Sequence, residues 1–184
     1  MRFQTAMIFR PFSLATLLFI QTNGFAWAPS KPPPLTQWQV NNAEYLIAID
    51  GNKYKLKDGK VVTGSLSKGN YISIKVYKTA FGDMNGDGAP DAVVLLAVNG
   101  GGSGTFHELA ILLNRGGKPV YAATKRGLGD RNIVNSLAIV KSVAIIEMLV
   151  QGPADAMALP TKKVKWKFRL KWDKRLKYRV VQVR

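Results

Sequence analysis

The chain contains no cysteine and a single histidine, His107. Without cysteine there can be no disulfide framework, no thiolate nucleophile and no cysteine zinc site. A single imidazole also argues against the histidine-rich sites that bind transition metals. The fold must therefore be held by its apolar core, and a bound ion with oxygen ligands is the other means of stabilisation that the composition allows.

Acidic residues are also scarce. The chain has 11 Asp and Glu residues against 27 Lys and Arg residues, which gives a formal net charge of +16. Much of the excess lies at one end, because residues 162–184 contain eleven basic side chains and one acid, Asp173, for a local charge of +10. Charge of this sign usually indicates a polyanionic partner.

The N-terminus has the layout of a secretory signal peptide. Arg2 and Arg10 precede an apolar run, Phe12–Ile20, which is followed by the small-x-small triplet Ala26-Trp27-Ala28. The run is too short to cross a bilayer core of about 30 Å as a helix. We predict cleavage after Ala26 or Ala28, a periplasmic or secreted protein, and no transmembrane segment after cleavage. Export separates the protein from cellular nucleic acid, so we expect no nucleic-acid partner.

A single β-rich domain is expected after this segment. The stretch PSKPPP favours an extended spacer, since proline lacks the backbone donor and fixes φ. We assign residues 1–28 to the signal peptide, 29–36 to the spacer and 37–184 to the domain. Short β-branched and aromatic runs between turns, without a helical apolar stripe in the first half, predict a mainly β fold with one compact antiparallel sheet domain. The alternative is an α+β domain with one or two short helices.

Two almost continuous apolar runs, AVVLLAV and FHELAILLN, predict central strands that are buried on both faces. The NGGGSGT segment between them is as rich in glycine as a phosphate-binding loop, but such loops precede a helix and here a strand follows. We therefore predict a hairpin connection. Ser103 and His107 are not favoured as a nucleophile and base, because Thr105 stands where a G-x-S-x-G motif needs glycine. We predict no enzymatic activity.

The segment GDMNGDGAPD is the strongest candidate site. Asp83, Asn85 and Asp87 alternate along it, Ala89 can offer a backbone carbonyl, and Asp91 follows at the start of the next strand. Calcium takes six to eight oxygen ligands, and a loop of alternating Asp and Asn with a glycine at the sharp turn can supply them. We predict a structural Ca²⁺ site with these five residues as ligands.

Two observations limit this assignment. The loop is not an EF-hand, because Val94 occupies the position where that motif needs a bidentate glutamate, and a strand follows instead of a helix. The alternative is a polar turn without metal, since Asp and Asn before glycine form Asx-turns on their own. Three carboxylates within nine residues would then repel one another without a compensating cation.

The D-x-N-x-D-G-x-x-D pattern resembles the calcium loops of FG-GAP and related extracellular β-repeat families. Over residues 42–170 the chain is also similar to a family of small exported bacterial proteins, typically periplasmic, whose members have no established activity. The blocks that carry this likeness are GDMNGDGAPDAV, GGSGTF, LGDRN and QGPADAM. The resemblance implies a location in the cell envelope and a compact β-rich domain, and it implies no activity.

The segment KKVKWKFRLKW alternates strictly between basic and apolar residues. Because side chains in a strand alternate between its two faces, we expect a basic row on one face and core residues on the other. Two interpretations stay open: a solvated row that protects a sheet edge, or a binding module for anionic lipid or polysaccharide of the cell envelope. The basic row consists of Lys163, Lys165, Lys167, Arg169 and Lys171.

Overall fold

The structure is a computed structural model that describes residues 31–156 and 159–184. Residues Lys31–Arg184 form one compact unit. The predicted signal peptide and its two cleavage sites lie outside the described residues. Over the described range the chain forms one short helix and eleven strands: α1 Gln37–Asn41, β1 Glu44–Leu46, β2 Lys53–Lys55, β3 Lys60–Thr63, β4 Ile72–Gly82, β5 Asp91–Asn99, β6 Phe106–Arg115, β7 Lys118–Lys125, β8 Ile133–Val140, β9 Val143–Val150, β10 Lys162–Asp173 and β11 Lys177–Val183.

All strand pairs are antiparallel, and neighbours in a sheet are also neighbours in the chain. One sheet has the order β3-β4-β5-β6-β7, a second has the order β8-β9-β10-β11, and β1 pairs with β2. The predicted mainly β, antiparallel fold is therefore confirmed. Tight turns at Asp58-Gly59 and Lys141-Ser142 have positive φ angles at all four residues, as two-residue type I′ hairpin turns require.

The five-stranded sheet lies between two apolar clusters. One face of β5 presents Val94 and Leu96 to a cluster that includes Tyr45 and Ile47 from the N-terminal segment. The opposite face presents Leu95 to a second cluster, formed with residues of the four-stranded sheet. Strands β5 and β6 are thus buried on both faces, which confirms the interpretation of their continuous apolar sequences.

The two large sheets meet through β7 with β11 and through β4 with β8. Phe168 of β10 is fully buried in the cluster between them. At Gly82, the last residue of β4, a Cβ atom would lie 2.9 Å from the Ile139 side chain of β8. Glycine at this position therefore allows the close approach of the two sheets.

Helix α1 is an element that the apolar periodicity did not indicate. Thr36 caps it, because its side chain accepts the Gln39 N–H while Gln39 accepts the Thr36 N–H in return. The local signal was this T-x-x-Q capping box, since a helix of five residues is too short to show an apolar stripe. Val40 is its buried contact with the core.

Candidate functional site

The loop of residues 83–91 connects β4 to β5 and folds around the Asp83 carboxylate. Asp83 Oδ1 accepts the N–H groups of Asn85 at 3.1 Å and Gly86 at 2.6 Å, and Oδ2 accepts that of Gly88 at 2.8 Å. Gly86 and Gly88 have φ angles of 83° and 80°, which side chains with a Cβ rarely adopt. The two glycines therefore allow the backbone to turn around Asp83.

Asn85 and Asp87 interact with each other within this loop. Asn85 Nδ2 donates to Asp87 Oδ2 at 2.8 Å, and the Asp87 N–H donates to Asn85 Oδ1 at 3.1 Å. Asp87 Oδ1 accepts the Ala89 N–H at 2.9 Å, and Arg115 lies 3.4 Å from Oδ2. Its slight burial would raise the pKa of Asp87, but the hydrogen bonds and the Arg115 charge lower it overall. The carboxylate is therefore favoured in its ionised form.

Asp91 at the base of the loop is fully buried. Its Oδ2 accepts the Met84 N–H and its Oδ1 accepts the Asn114 N–H of β6, each at 2.8 Å. Burial raises the pKa of Asp91; the two hydrogen bonds oppose this, and the charges of Asp87 and Asp83 reinforce it. Asp91 thus joins the loop to β6. Its burial disfavours the ionised carboxylate, and a nearby cation would favour it again.

All five predicted ligand residues lie in this hydrogen-bonded loop, and the Asp91 carboxylate is bonded to Met84 within the loop and to Asn114 on β6. Across residues 31–156 and 159–184, no group of three or more His, Cys, Asp or Glu side chains is placed to hold a metal ion. The side-chain oxygens instead accept N–H groups of the loop, as Asx-turns do. A carboxylate oxygen has two lone pairs, and Asp83 Oδ1 uses both of them. Asp83 Oδ2 and the two Asp91 oxygens each accept one N–H group, so they keep acceptor capacity for a cation.

The basic row of β10 lies on the outer face of the four-stranded sheet. Lys163, Lys165, Arg169 and Lys171 are exposed, and Lys167 is half-buried. Glu147 of β9 pairs with Lys165 at 2.8 Å. For the other four basic side chains, the described part of the chain shows no ion pair.

The basic row lies along a sheet edge for most of its length. In the sheet order β10 is between β9 and β11, but it pairs with both of them only at Lys167 and Phe168. The interpretation that the row protects a sheet edge therefore stays open. One other expectation for this strand is wrong. Trp172, expected in the core, is 67% exposed. The pairing of β9 with β10 ends at Phe168 and Ala144, so β10 pairs with β11 alone where it approaches Trp172.

Two buried ionisable side chains, His107 and Glu108, are adjacent on β6. His107 packs edge-on against Tyr77 with ring centroids 5.1 Å apart, and its Nδ1 has no hydrogen-bond partner among the described residues. Burial lowers the pKa of His107, against the opposing charge of Asp130, so the ring is favoured in its neutral form. Burial raises the pKa of Glu108, although its Oε2 accepts the Ala48 N–H at 2.8 Å.

The burial of Glu108 agrees with the predicted burial of FHELAILLN on both faces. Its hydrogen-bond partner Ala48 is 60 residues away in the chain, so no local pattern could indicate it. No hydrogen bond joins Ser103 to His107 in the described part of the chain. His107 and Glu108 instead line a small cavity with Arg126.

No protein-family model, no curated protein and no solved structure matches this chain. The likeness to small exported bacterial proteins therefore stays a prediction from the sequence blocks. Within the described residues, no helix has the length and apolar character needed to cross a membrane. The class that the structure defines is a mainly β protein built from antiparallel sheets.

Proposed function

We propose that the protein is exported to the periplasm or secreted, acts without catalysis, and binds one structural Ca²⁺ in the loop of residues 83–91. The observation that carries the calcium site is the central position of the Asp83 carboxylate, around which the backbone of the loop turns. Burial raises the pKa of Asp91, and the charges of Asp87 and Asp83 raise it further, so three carboxylates lie within electrostatic reach of one another. A divalent cation would neutralise this repulsion.

Ion binding requires a local rearrangement, because no three acidic side chains of the described residues are already grouped for a metal. Asp87 is the residue that must move. Its carboxylate is on the exposed side of the loop, and its contacts with Arg115 at 3.4 Å and with Asn85 are easily exchanged. Asp83 and Asp91 need not move far, since each keeps its backbone hydrogen bonds and offers a second lone pair. The bound ion would then connect β4, β5 and, through Asp91, β6.

A thermal melt with Ca²⁺ against a chelator tests the site. With Ca²⁺ tenfold above Kd, binding to the folded state alone adds about 1.4 kcal/mol to the free energy of unfolding. For a domain of this size that corresponds to a rise in Tm of roughly 3–5 °C. Asp87→Ala removes the shift. A matched control is Asp50→Ala, which removes an aspartate that accepts the Asn52 N–H in another exposed loop. A Tm that is the same with Ca²⁺ and with chelator overturns the proposal.

The exposed basic row of β10 supports a second candidate function, the binding of anionic lipid or polysaccharide of the cell envelope. Alternate residues of a strand project about 6.5–7 Å apart, so the five cations form a line that can follow a polyanion. Glu147, paired with Lys165, is the one acidic side chain that contacts this row among the described residues. The row therefore keeps most of its positive charge available.

Retention on an immobilised anionic polysaccharide tests this candidate. Changing Lys163, Lys165 and Lys167 to Gln lowers affinity by about fivefold for each charge removed, if each contributes as a basic residue does at an anionic surface. The salt needed for elution falls accordingly. The control variant has the same net charge, because it also changes three exposed lysines to Gln, here at or beside the five-stranded sheet. These are Lys57, Lys60 and Lys75. Equal loss in both variants would show that total charge, and not the basic row, causes retention.

A further inference from the structure

The turn between β10 and β11 exposes two large apolar side chains. Trp172 is 67% exposed and Leu176 is 69% exposed. Because β9 ends its pairing with β10 at Phe168, this end of the β10–β11 hairpin extends beyond the neighbouring strand. We call residues 171–177 the hairpin tip.

The hairpin tip is also strongly basic. Residues 171–177 contain four cations and one acid, for a local charge of +3. All four cations are exposed, and the described part of the chain shows no ion pair for any of them. They are Lys171, Lys174, Arg175 and Lys177.

The one acid of the tip is occupied by the turn itself. Asp173 Oδ1 accepts the Arg175 N–H at 2.9 Å and the Leu176 N–H at 3.0 Å. Its Oδ2 lies 3.7 Å from Arg179 Nε. The carboxylate therefore fixes the shape of the turn, and the four cations stay available for an anionic partner.

We propose that the hairpin tip docks on the surface of an anionic lipid bilayer, with Trp172 and Leu176 in the headgroup region and the surrounding cations beside the lipid phosphates. Tryptophan favours this interface because its ring is apolar and its N–H is polar. Basic residues near an anionic bilayer add electrostatic attraction. The inference rests on the second proposed function and names lipid as the partner.

The composition of the tip favours lipid over polysaccharide. A sugar polymer can contact the ring of Trp172 and the cations, but it offers no apolar phase to Leu176. A bilayer offers both an anionic surface and an apolar interior within a few ångströms of each other. The apolar and basic side chains of the tip meet both requirements with one hairpin.

Other exposed apolar residues of the chain lack this combination and supply matched controls. Trp38 is 71% exposed and lies between Gln37 and Gln39 on α1. Leu66 is 65% exposed on the loop between β3 and β4. Replacing Trp38 and Leu66 removes a similar apolar surface from sites that have fewer adjacent cations.

Cosedimentation with vesicles tests the inference on the full chain. We expect binding to vesicles of equal parts phosphatidylcholine and phosphatidylglycerol, and weak binding to phosphatidylcholine alone. Trp172→Ala with Leu176→Ser lowers the vesicle affinity at least about tenfold. Lys174→Gln with Arg175→Gln lowers it by roughly 25-fold. Trp38→Ala with Leu66→Ser leaves it unchanged.

A second measurement reports on the tip directly. Quenching of tryptophan fluorescence by brominated lipid is compared between the parent chain and Trp172→Phe. We expect the quenched part of the signal to be largely lost in Trp172→Phe, which keeps an aromatic ring and so keeps the fold. This readout is independent of any other segment that contacts the vesicle.

The outcomes separate this inference from the function on which it rests. If the Lys163, Lys165 and Lys167 variant loses polysaccharide retention while tip variants bind vesicles like the parent, the basic row stands and the tip inference is wrong. If the parent chain does not bind vesicles and the tip variants lose retention on polysaccharide, then polysaccharide is the partner and the tip inference is also wrong. Unchanged quenching in Trp172→Phe overturns it as well.

Discussion

At the scale of single residues, the most informative side chains are ionisable groups buried in or beside the five-stranded sheet. Asp91 was assigned from the sequence as a calcium ligand, and the structure adds that its carboxylate joins Met84 to Asn114. That second role could not be predicted, because Asn114 is 23 residues away in the chain and nothing local connects the two. A motif identifies which oxygens are close in sequence, whereas the buried partners depend on strand pairing.

His107 gives a prediction at this scale. Its folded-state pKa is lowered by burial, so the folded state disfavours the protonated ring, while the unfolded chain protonates near its ordinary value of about 6.5. Between those two pKa values the unfolded state binds more protons. The contribution of the neutral His107 ring to the free energy of unfolding is thus fully present above about pH 6.5. It falls as the pH drops from there through the lowered pKa.

His107→Phe keeps the aromatic contact with Tyr77 and removes the titration. We expect the free energy of unfolding of the variant to change less between pH 7.5 and pH 5 than that of the parent. Asp130 carries the opposing charge that raises the His107 pKa, so Asp130→Asn in the parent should steepen the pH dependence. Urea unfolding at a series of pH values measures both effects. Identical pH profiles for the parent and His107→Phe would contradict the assignment.

At the scale of elements, strands with a strong pattern were predicted well. The alternation in β10 placed Phe168 and the lysines on opposite faces, and the continuous apolar sequences of β5 and β6 indicated burial on both faces. Such patterns arise directly from the two-residue period of a strand. They do not show which strand lies next to which or how far each pairing extends, so they could not show that β10 has two neighbours only at Lys167 and Phe168.

The exposure of Trp172 shows the same limit. Trp172 is on the same face of β10 as Phe168 by the alternation. Phe168 is buried and Trp172 is exposed, because β9 extends beside Phe168 and not beside Trp172. Strand length decides this difference: β10 has 12 residues while β9 has 8. A periodic pattern gives the face of a side chain, but the relative lengths of neighbouring strands decide whether that face is covered.

At the scale of the whole described unit, β5 and β6 are shared by two apolar clusters. The N-terminal segment with α1 and β1 covers one face of the five-stranded sheet, and the four-stranded sheet covers the other. Neither cluster can be lost without exposing a face of β5. The sheets should therefore unfold together and not as separate bodies.

Leu95→Ala tests this coupling. Leu95 is fully buried on β5 and faces the cluster between the two large sheets. Removing its side chain should lower the free energy of unfolding by about 2–5 kcal/mol, through lost apolar burial and the remaining cavity. Leu176→Ala is the matched control, with an effect of less than about 0.5 kcal/mol, because Leu176 is 69% exposed. Circular dichroism of the sheets and tryptophan fluorescence, to which Trp166 of β10 contributes, should report one common transition in both variants. Separate transitions in Leu95→Ala, with the four-stranded sheet lost first, would show that the two sheets are stabilised independently.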